Sequence, residues 1–262
     1  FATPDTLNYT YNSRGEVTGA TSDENAAYNY AYNFDPIGNR LTASLTGIGY
    51  NYTANALNQY TAITSGNITS DPTYDFDGNM LTRDGWTQTW NGENRLTEMV
   101  RNDTRLTFSY DYLGRRIEKK VYKKNNGNWL IQKSIKFVYD GYKLIEEIDS
   151  INNDAVIHRY VWQPDKLGLD VPLIFYNLAH ERNYYYLFDA NKNISELTEG
   201  DVVSISYRYD PFGQEIILHE NNEILNPFRF SGEYFDSETA LVYYNYRYYD
   251  PQLGRWINRD PI

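Results

Sequence analysis

One short pattern recurs along the whole chain: aromatic, any residue, aromatic, Asp or Asn, a short gap, Gly or Asn, then a polar–apolar–Thr finish. The fullest copy is Tyr32-Asn33-Phe34-Asp35-Pro36-Ile37-Gly38-Asn39-Arg40-Leu41-Thr42. Others occupy residues 9–18, 50–61, 74–82 (with Tyr74, Asp77 and Gly78), 90–97 and 108–117 (with Tyr110, Asp111 and Gly114). Later copies fall at 137–141 (Tyr139, Asp140), 187–191 and 207–213 (Tyr209, Asp210, Gly213). Nine copies, recurring every 14–24 residues through residue 117, mark an array of small units.

Each residue type in the unit has a mechanical reason. Aromatics two apart, such as Tyr32 and Phe34, project from one face of a strand. The Asp or Asn that follows ends the strand, because its side chain can bond backbone two residues on and close a turn. Gly or Asn then supplies the positive φ that the turn needs. A second alternating run leads back. Each unit is therefore a β-hairpin, and the aspartates are read as turn formers. Between Arg115 and Asp140 the hairpin is longer: Ile117, Lys119 and Val121 alternate with Glu118, Lys120 and Tyr122, and Asn125-Asn126-Gly127-Asn128 makes the turn. No amphipathic helix of useful length is visible; residues 177–181 offer at most one turn. The expected fold is all-β, with repeated hairpins forming a continuous curved antiparallel ribbon, about eleven hairpins or ~22 strands.

Composition agrees. With 27 tyrosines and 11 phenylalanines among 262 residues, a sheet face can be covered by side chains that have apolar bodies and polar tips. The net charge of −11 argues against nucleic acid, whose phosphates demand an excess of Lys and Arg. The charge is uneven. Residues 101–143 hold eleven basic and four acidic side chains, leaving 13 basic and 31 acidic elsewhere, a balance of −18. Such an island either docks an acidic partner or is a solvated hairpin edge protected by lysines, and the second is the simpler reading. There are no cysteines, which removes disulfides, thiolate metal sites and cysteine nucleophiles. No apolar run approaches the roughly 18 residues that span a bilayer. The chain starts at Phe1 and stops after Asp260-Pro261-Ile262, so a piece of a longer protein is expected.

The C-terminal stretch carries a more specific signal. Phe228-Arg229-Phe230-Ser231-Gly232-Glu233-Tyr234-Phe235-Asp236 runs through Leu241-Val242-Tyr243-Tyr244 into Arg247-Tyr248-Tyr249-Asp250-Pro251-Gln252-Leu253-Gly254-Arg255-Trp256-Ile257-Asn258-Arg259-Asp260-Pro261. This resembles the Rhs repeat-associated core motif, and the upstream copies resemble YD repeats. The resemblance divides the chain into a hairpin array, 1–227, and the start of the core motif, 228–262. Ala240 departs from it, standing where the family usually places Gly, so the local turn is expected to differ.

The resemblance implies a β-ribbon that spirals into a hollow shell, as in bacterial polymorphic toxins, insecticidal toxin complexes and teneurins. In the bacterial members the shell holds a variable C-terminal toxin or effector, so the implied partners are that domain and a secretion-system or toxin-complex component. The implied location is secreted or at the cell surface. It also implies that Asp260 is half of an aspartate-dependent self-cleavage site whose remainder lies beyond Ile262, so this stretch by itself is not expected to be an enzyme.

Other chemistry finds little support. His158, His180 and His219 lack metal-type spacing, and no cofactor is expected. Glu146 and Glu147 are adjacent on a strand and face opposite sides. The five Asn-x-Ser/Thr sequons follow from a composition rich in Asn and Thr. The competing reading is an adhesion module that stacks its aromatics, including Trp86, Trp90, Trp129, Trp162 and Trp256, on glycans. An aromatic ladder open to solvent would favour it; a covered one favours containment.

Overall fold

The computed structural model describes residues 6–164, 171–219, 221 and 224–260. The backbone divides into two compact units, residues 1–85 and 86–262. In the first, seven strands lie side by side in chain order: β1 (Leu7–Tyr11), β2 (Val17–Ser22), β3 (Tyr30–Phe34), β4 (Arg40–Leu45), β5 (Ile48–Ala54), β6 (Tyr60–Ser65) and β7 (Ile68–Ser70). A short hairpin, β8 (Thr73–Tyr74) and β9 (Met80–Arg83), completes it.

The second unit continues in the same manner. Its strands are β10 (Trp86–Trp90), β11 (Leu96–Arg101), β12 (Thr104–Tyr110), β13 (Arg116–Asn125), β14 (Asn128–Asp140) and β15 (Lys143–Asp149). They are followed by β16 (Ala155–Trp162), β17 (Pro172–Asn177), β18 (Arg182–Phe188), β19 (Ile194–Glu199), β20 (Val202–Tyr209) and β21 (Glu215–His219). Every neighbour in this run is also a neighbour in sequence, and every pairing is antiparallel. A separate four-stranded sheet closes the unit: β22 (Tyr234–Asp236), β23 (Leu241–Tyr244), β24 (Arg247–Asp250) and β25 (Arg255–Trp256). The all-β hairpin ribbon read from the sequence is the fold of the chain.

The turns work as their residue types dictate. Asp35 Oδ1 accepts the backbone N–H groups of Ile37 and Asn39, both at 2.9 Å, while Oδ2 accepts the Asn39 amide at 2.8 Å. Asn12, Asn55, Asn91, Asp111, Asp189 and Asp210 repeat the backbone part of this arrangement. The Asn39 hydrogen bond, opposed by the little desolvation present, holds the Asp35 carboxyl below its usual range. Gly38, Gly78, Gly114 and Gly213 close their turns at φ between +83° and +93°. At Gly213 there is a second demand, because a Cβ would collide with the Phe230 ring.

Two units depart from the sequence reading. In residues 74–82 the acceptor is Asp75, which takes the backbone N–H of Asp77 and Asn79; Asp77 is an exposed donor at the tip. Asp140 closes no such turn. It pairs with Lys143 across the two-residue loop Gly141-Tyr142, Gly141 having φ +59°, and its side chain is exposed.

Strict alternation after the turn is also broken, and this sets which residues are buried. Phe34 pairs with Arg40 but Asn33 pairs with Thr42, so Leu41 is an extra, bulged residue. The same step leaves out Thr61, Leu81, Thr97, Ile117, Ile145 and Ser195. A bulge inverts the side-chain parity beyond it. The residue before the bulge and the one two places after it therefore share a face: Arg40 with Ala43, Leu96 with Met99, Arg116 with Lys119, Leu144 with Glu147, Ile194 with Leu197. All ten are buried. Ile117, read from the sequence as sharing a face with Lys119 and Val121, is the bulged residue and is 38% exposed.

In five units the last aromatic before the turn ties its unit to an earlier one. Tyr74 donates its hydroxyl to the carbonyl of Tyr60 (3.1 Å), Tyr110 to Leu96 (2.8 Å), Tyr139 to Arg116 (2.9 Å) and Tyr209 to Ile194 (2.8 Å). Trp162 does the same to Leu144 through Nε1 (2.7 Å). Each hydroxyl's acceptor is the first residue of an earlier return strand, and Leu144 is the second residue of β15. The rung needs a donor at the tip of the ring, which tyrosine carries and phenylalanine lacks.

Candidate functional site: the seat of the C-terminal motif

The parity rule places two cations on the buried face of β13. Arg116 is fully buried and Lys119 is 2% exposed. They belong to the basic island, but they are not part of a solvated edge. A buried cation without a partner would be ruinous, and the partner arrives from 120 residues downstream. Asp236, at the end of β22, accepts Arg116 Nη1 at 2.5 Å and Nη2 at 3.2 Å, and Lys119 Nζ at 2.8 Å. Glu238 takes Lys119 as well, at 3.0 Å.

Five aromatic rings enclose the guanidinium: Phe108, Phe137, Tyr234, Tyr243 and Tyr248, with centroids 4.3–5.9 Å from its carbon. Arg116 also donates its backbone N–H to the Tyr243 hydroxyl at 2.8 Å. Burial works against charge on Asp236, but the adjacent Arg116 and Lys119 more than offset it and hold the carboxyl below its ordinary range. Burial likewise opposes the Arg116 and Lys119 charges, and Asp236 keeps both cations protonated.

Glu147 anchors a second point on the same face. Its Oε2 meets His158 Nδ1 at 2.5 Å and accepts the Tyr160 hydroxyl at 3.2 Å; its Oε1 accepts Tyr234 at 2.6 Å. Burial pushes the carboxyl up, yet the contacts with His158 and Tyr234 bring it down to about 2. Glu146 points the other way and pairs with Arg159. Farther along, Arg229 forks onto both oxygens of Glu215 at 2.5 and 2.6 Å, and Phe228 lies edge-on to Tyr160, Trp162 and Tyr186.

The residues singled out from the C-terminal motif are gathered here. Tyr248 reaches Arg116 (3.3 Å) and the Tyr110 hydroxyl (2.9 Å). Tyr249 stacks on Phe230 and donates to the Phe212 carbonyl at 2.8 Å. Asp250, fully buried, accepts the N–H of Leu253 and shapes the turn Pro251–Gly254, with Gly254 at φ +65°. Asp250 pairs with Arg255, and Trp256 lies edge-on to Tyr244 while Arg247 sits 4.0 Å over its ring. Asp260 is apart from this core: its side chain is 70% exposed and 3.6 Å from Arg247 Nε. Pro261 lies outside the described residues. The ribbon residues, by contrast, are not brought to one place; each serves its own turn or rung.

Ala240 follows the turn after β22 at φ +56° and donates to the Asp236 carbonyl at 2.8 Å. A left-handed residue with a Cβ costs roughly 1–2 kcal/mol. Ala240→Gly should therefore raise stability by about 1 kcal/mol, read as a higher urea midpoint at unchanged slope; no rise would mean the turn relaxes without help.

The arrangement is a socket for a sheet, sealed by the paired charges at Asp236 and Glu147. Among the described residues no group of three or more His, Cys, Asp or Glu is placed to hold a metal, and no helix is long and apolar enough to cross a membrane.

A family profile described as Teneurin YD-shell matches residues 3–261. The chain belongs to the YD-shell family. The tRNA nuclease WapA of Bacillus subtilis strain 168 is 28% identical over 262 residues, 96% of this chain and 10% of WapA. The double-stranded DNA deaminase toxin A of Burkholderia cenocepacia is 30% identical over 216 residues, 72% of this chain and 15% of that toxin. This YD-shell chain thus spans only a small part of such relatives. The crystal structure of TcdB2-TccC3-TEV matches 98% of this chain and 16% of that one, with a TM-score of 0.63 at 17% identity. The Photorhabdus luminescens Tc holotoxin pore gives a TM-score of 0.60 at 17% identity, over 98% of this chain and 15% of that one. At such identity the likeness is one of fold.

Arg116, Lys119, Glu147, His158 and Asp236 were not singled out as site residues from the sequence. The one local signal for Arg116 and Lys119 is two cations three apart directly after an Asp-x-x-Gly turn, a spacing that means little until the bulge is known.

Proposed function

We propose that this chain is a length of wall in a hollow YD shell that holds a C-terminal toxin or effector within a secreted bacterial polymorphic toxin. The observation that carries this reading is the covered aromatic face. Tyr32, Tyr52, Tyr160 and Tyr184 are each at most 5% exposed, and in the second unit the C-terminal motif is seated on that face by paired charges. A glycan-stacking module needs the reverse, rows of rings open to solvent. A relative named as a DNA deaminase toxin and another named as a tRNA nuclease, each much longer than this chain, support the same assignment, as does a match to Tc toxin structures in fold. The partners are then the parent's own C-terminal domain and, outside the shell, a component of its delivery machinery.

The test uses the parent protein with its C-terminal domain. That domain should resist added protease inside the parent and be digested when expressed alone; equal digestion would remove the containment reading. In the same protein, Asp260→Asn should leave the C-terminal fragment attached, whereas normal release would show that Asp260 takes no part in cleavage.

A further inference from the structure

With no cysteine in the chain, no disulfide can fasten the sheet β22–β25 to the ribbon. One exposed contact between the two offers a different fastening. Tyr142 sits in the loop between β14 and β15, and Tyr246 in the loop between β23 and β24. Their hydroxyls share a hydrogen bond, their ring centroids are 5.7 Å apart, and their planes meet at 58°. The two residues are 44% and 37% exposed, so both rings are open to a dissolved reagent. Phenol oxygens in hydrogen-bond contact also bring the neighbouring ortho carbons of the two rings together.

That is the geometry phenol coupling needs. A one-electron oxidant takes an electron from a tyrosine as the phenolic proton leaves, and the unpaired spin spreads to the ortho carbons. Once both rings are oxidised, an ortho carbon of one bonds to an ortho carbon of the other. Each ring then passes its displaced ortho hydrogen to oxygen and becomes a phenol again. In sum one carbon–carbon bond forms, and two electrons and two protons leave. Hydrogen peroxide, acting through a haem peroxidase, accepts them and is reduced to two waters. Two radicals held side by side combine with each other before either meets a second molecule. Tyr110 and Tyr248 also join hydroxyls, at 2.9 Å, but Tyr248 is buried and shielded from such a reagent.

We propose that Tyr142 and Tyr246 form a dityrosine cross-link under a one-electron oxidant, stapling the sheet of the C-terminal motif to the ribbon. The link joins residues 104 apart. Closing a loop of that length restricts the unfolded chain and should raise the thermal midpoint by about 10 °C. The test treats the 262-residue chain, kept dilute, with a haem peroxidase and hydrogen peroxide. The expected product is a monomer lighter by two hydrogens, with dityrosine fluorescence and a proteolytic fragment joining Tyr142 to Tyr246. Tyr142→Phe and Tyr246→Phe should each lower the intramolecular yield by about tenfold or more. Tyr112→Phe, at a still more exposed ring, should leave that yield unchanged. The linked monomer, separated from unreacted chain, should show the higher midpoint. Absence of the Tyr142–Tyr246 fragment, coupling between molecules only, a yield indifferent to both substitutions, or a linked chain with an unchanged midpoint would each overturn the proposal.

Discussion

Arg116→Ala is expected to destabilise the second unit by about 3–5 kcal/mol, the usual cost of removing one partner from a buried ion pair. Asp236 would remain 1% exposed with only Lys119 beside it, and the space among five rings would be left unfilled. Two penalties then act together, an undercompensated carboxylate and a cavity. The loss should fall first on β22–β25, so amide exchange there should quicken more than in β17–β20. A paired substitution, Arg116→Met with Asp236→Leu, should recover much of the loss, because a well-packed apolar pair replaces both charges while Lys119 retains Glu238. A single variant with an unchanged urea midpoint would show that the ion pair does not hold the seat.

Acid should loosen the same seat through Glu147. A carboxyl whose folded pKa lies below its unfolded value stabilises fully above the unfolded value, near 4.5, and loses that contribution as pH falls through the folded value, here about 2. The window is therefore pH 4.5 down to 2, and the contribution lost is about 3 kcal/mol. Asp236 and Glu238, also held below their ordinary range against the pull of burial, act in the same direction. Glu147→Gln keeps a similar shape but cannot ionise. Its stability curve should run below that of the parent above pH 5 and converge with it towards pH 2. Curves that stay parallel throughout would place the charge of Glu147 outside the stability of the seat.

Much of the fold was legible because it is local. Tyr-x-Phe-Asp followed by Pro-x-Gly specifies a strand, its end and its turn within seven residues, and the nearest-neighbour strand order follows from short loops. The bulge was less visible, since its cause is the geometry of the turn and not the identity of Leu41 or Ile117. Missing it put Ile117 on the wrong face. The hairpin at Asp140 was misread for a related reason: a two-residue loop closes without needing the carboxylate. The seat was hidden altogether. Without the bulge at Ile117 Lys119 reads much like Lys120, yet one is sealed against Asp236 and the other pairs with Glu118 at the surface. The C-terminal motif was recognisable as a pattern, but its partner face was not.

The tyrosine rungs have an evolutionary corollary. Because each rung reaches back only to an earlier unit, a hairpin module outside the seat of the C-terminal motif is mechanically indifferent to how many others precede or follow. Unequal recombination that duplicates or deletes a whole module would regenerate an intact rung at the junction, whereas a cut in mid-module would leave a hydroxyl and a carbonyl facing nothing. Wall length in such chains can thus drift by whole steps while every joint stays sound, which lets containers of different capacity arise from a single tile.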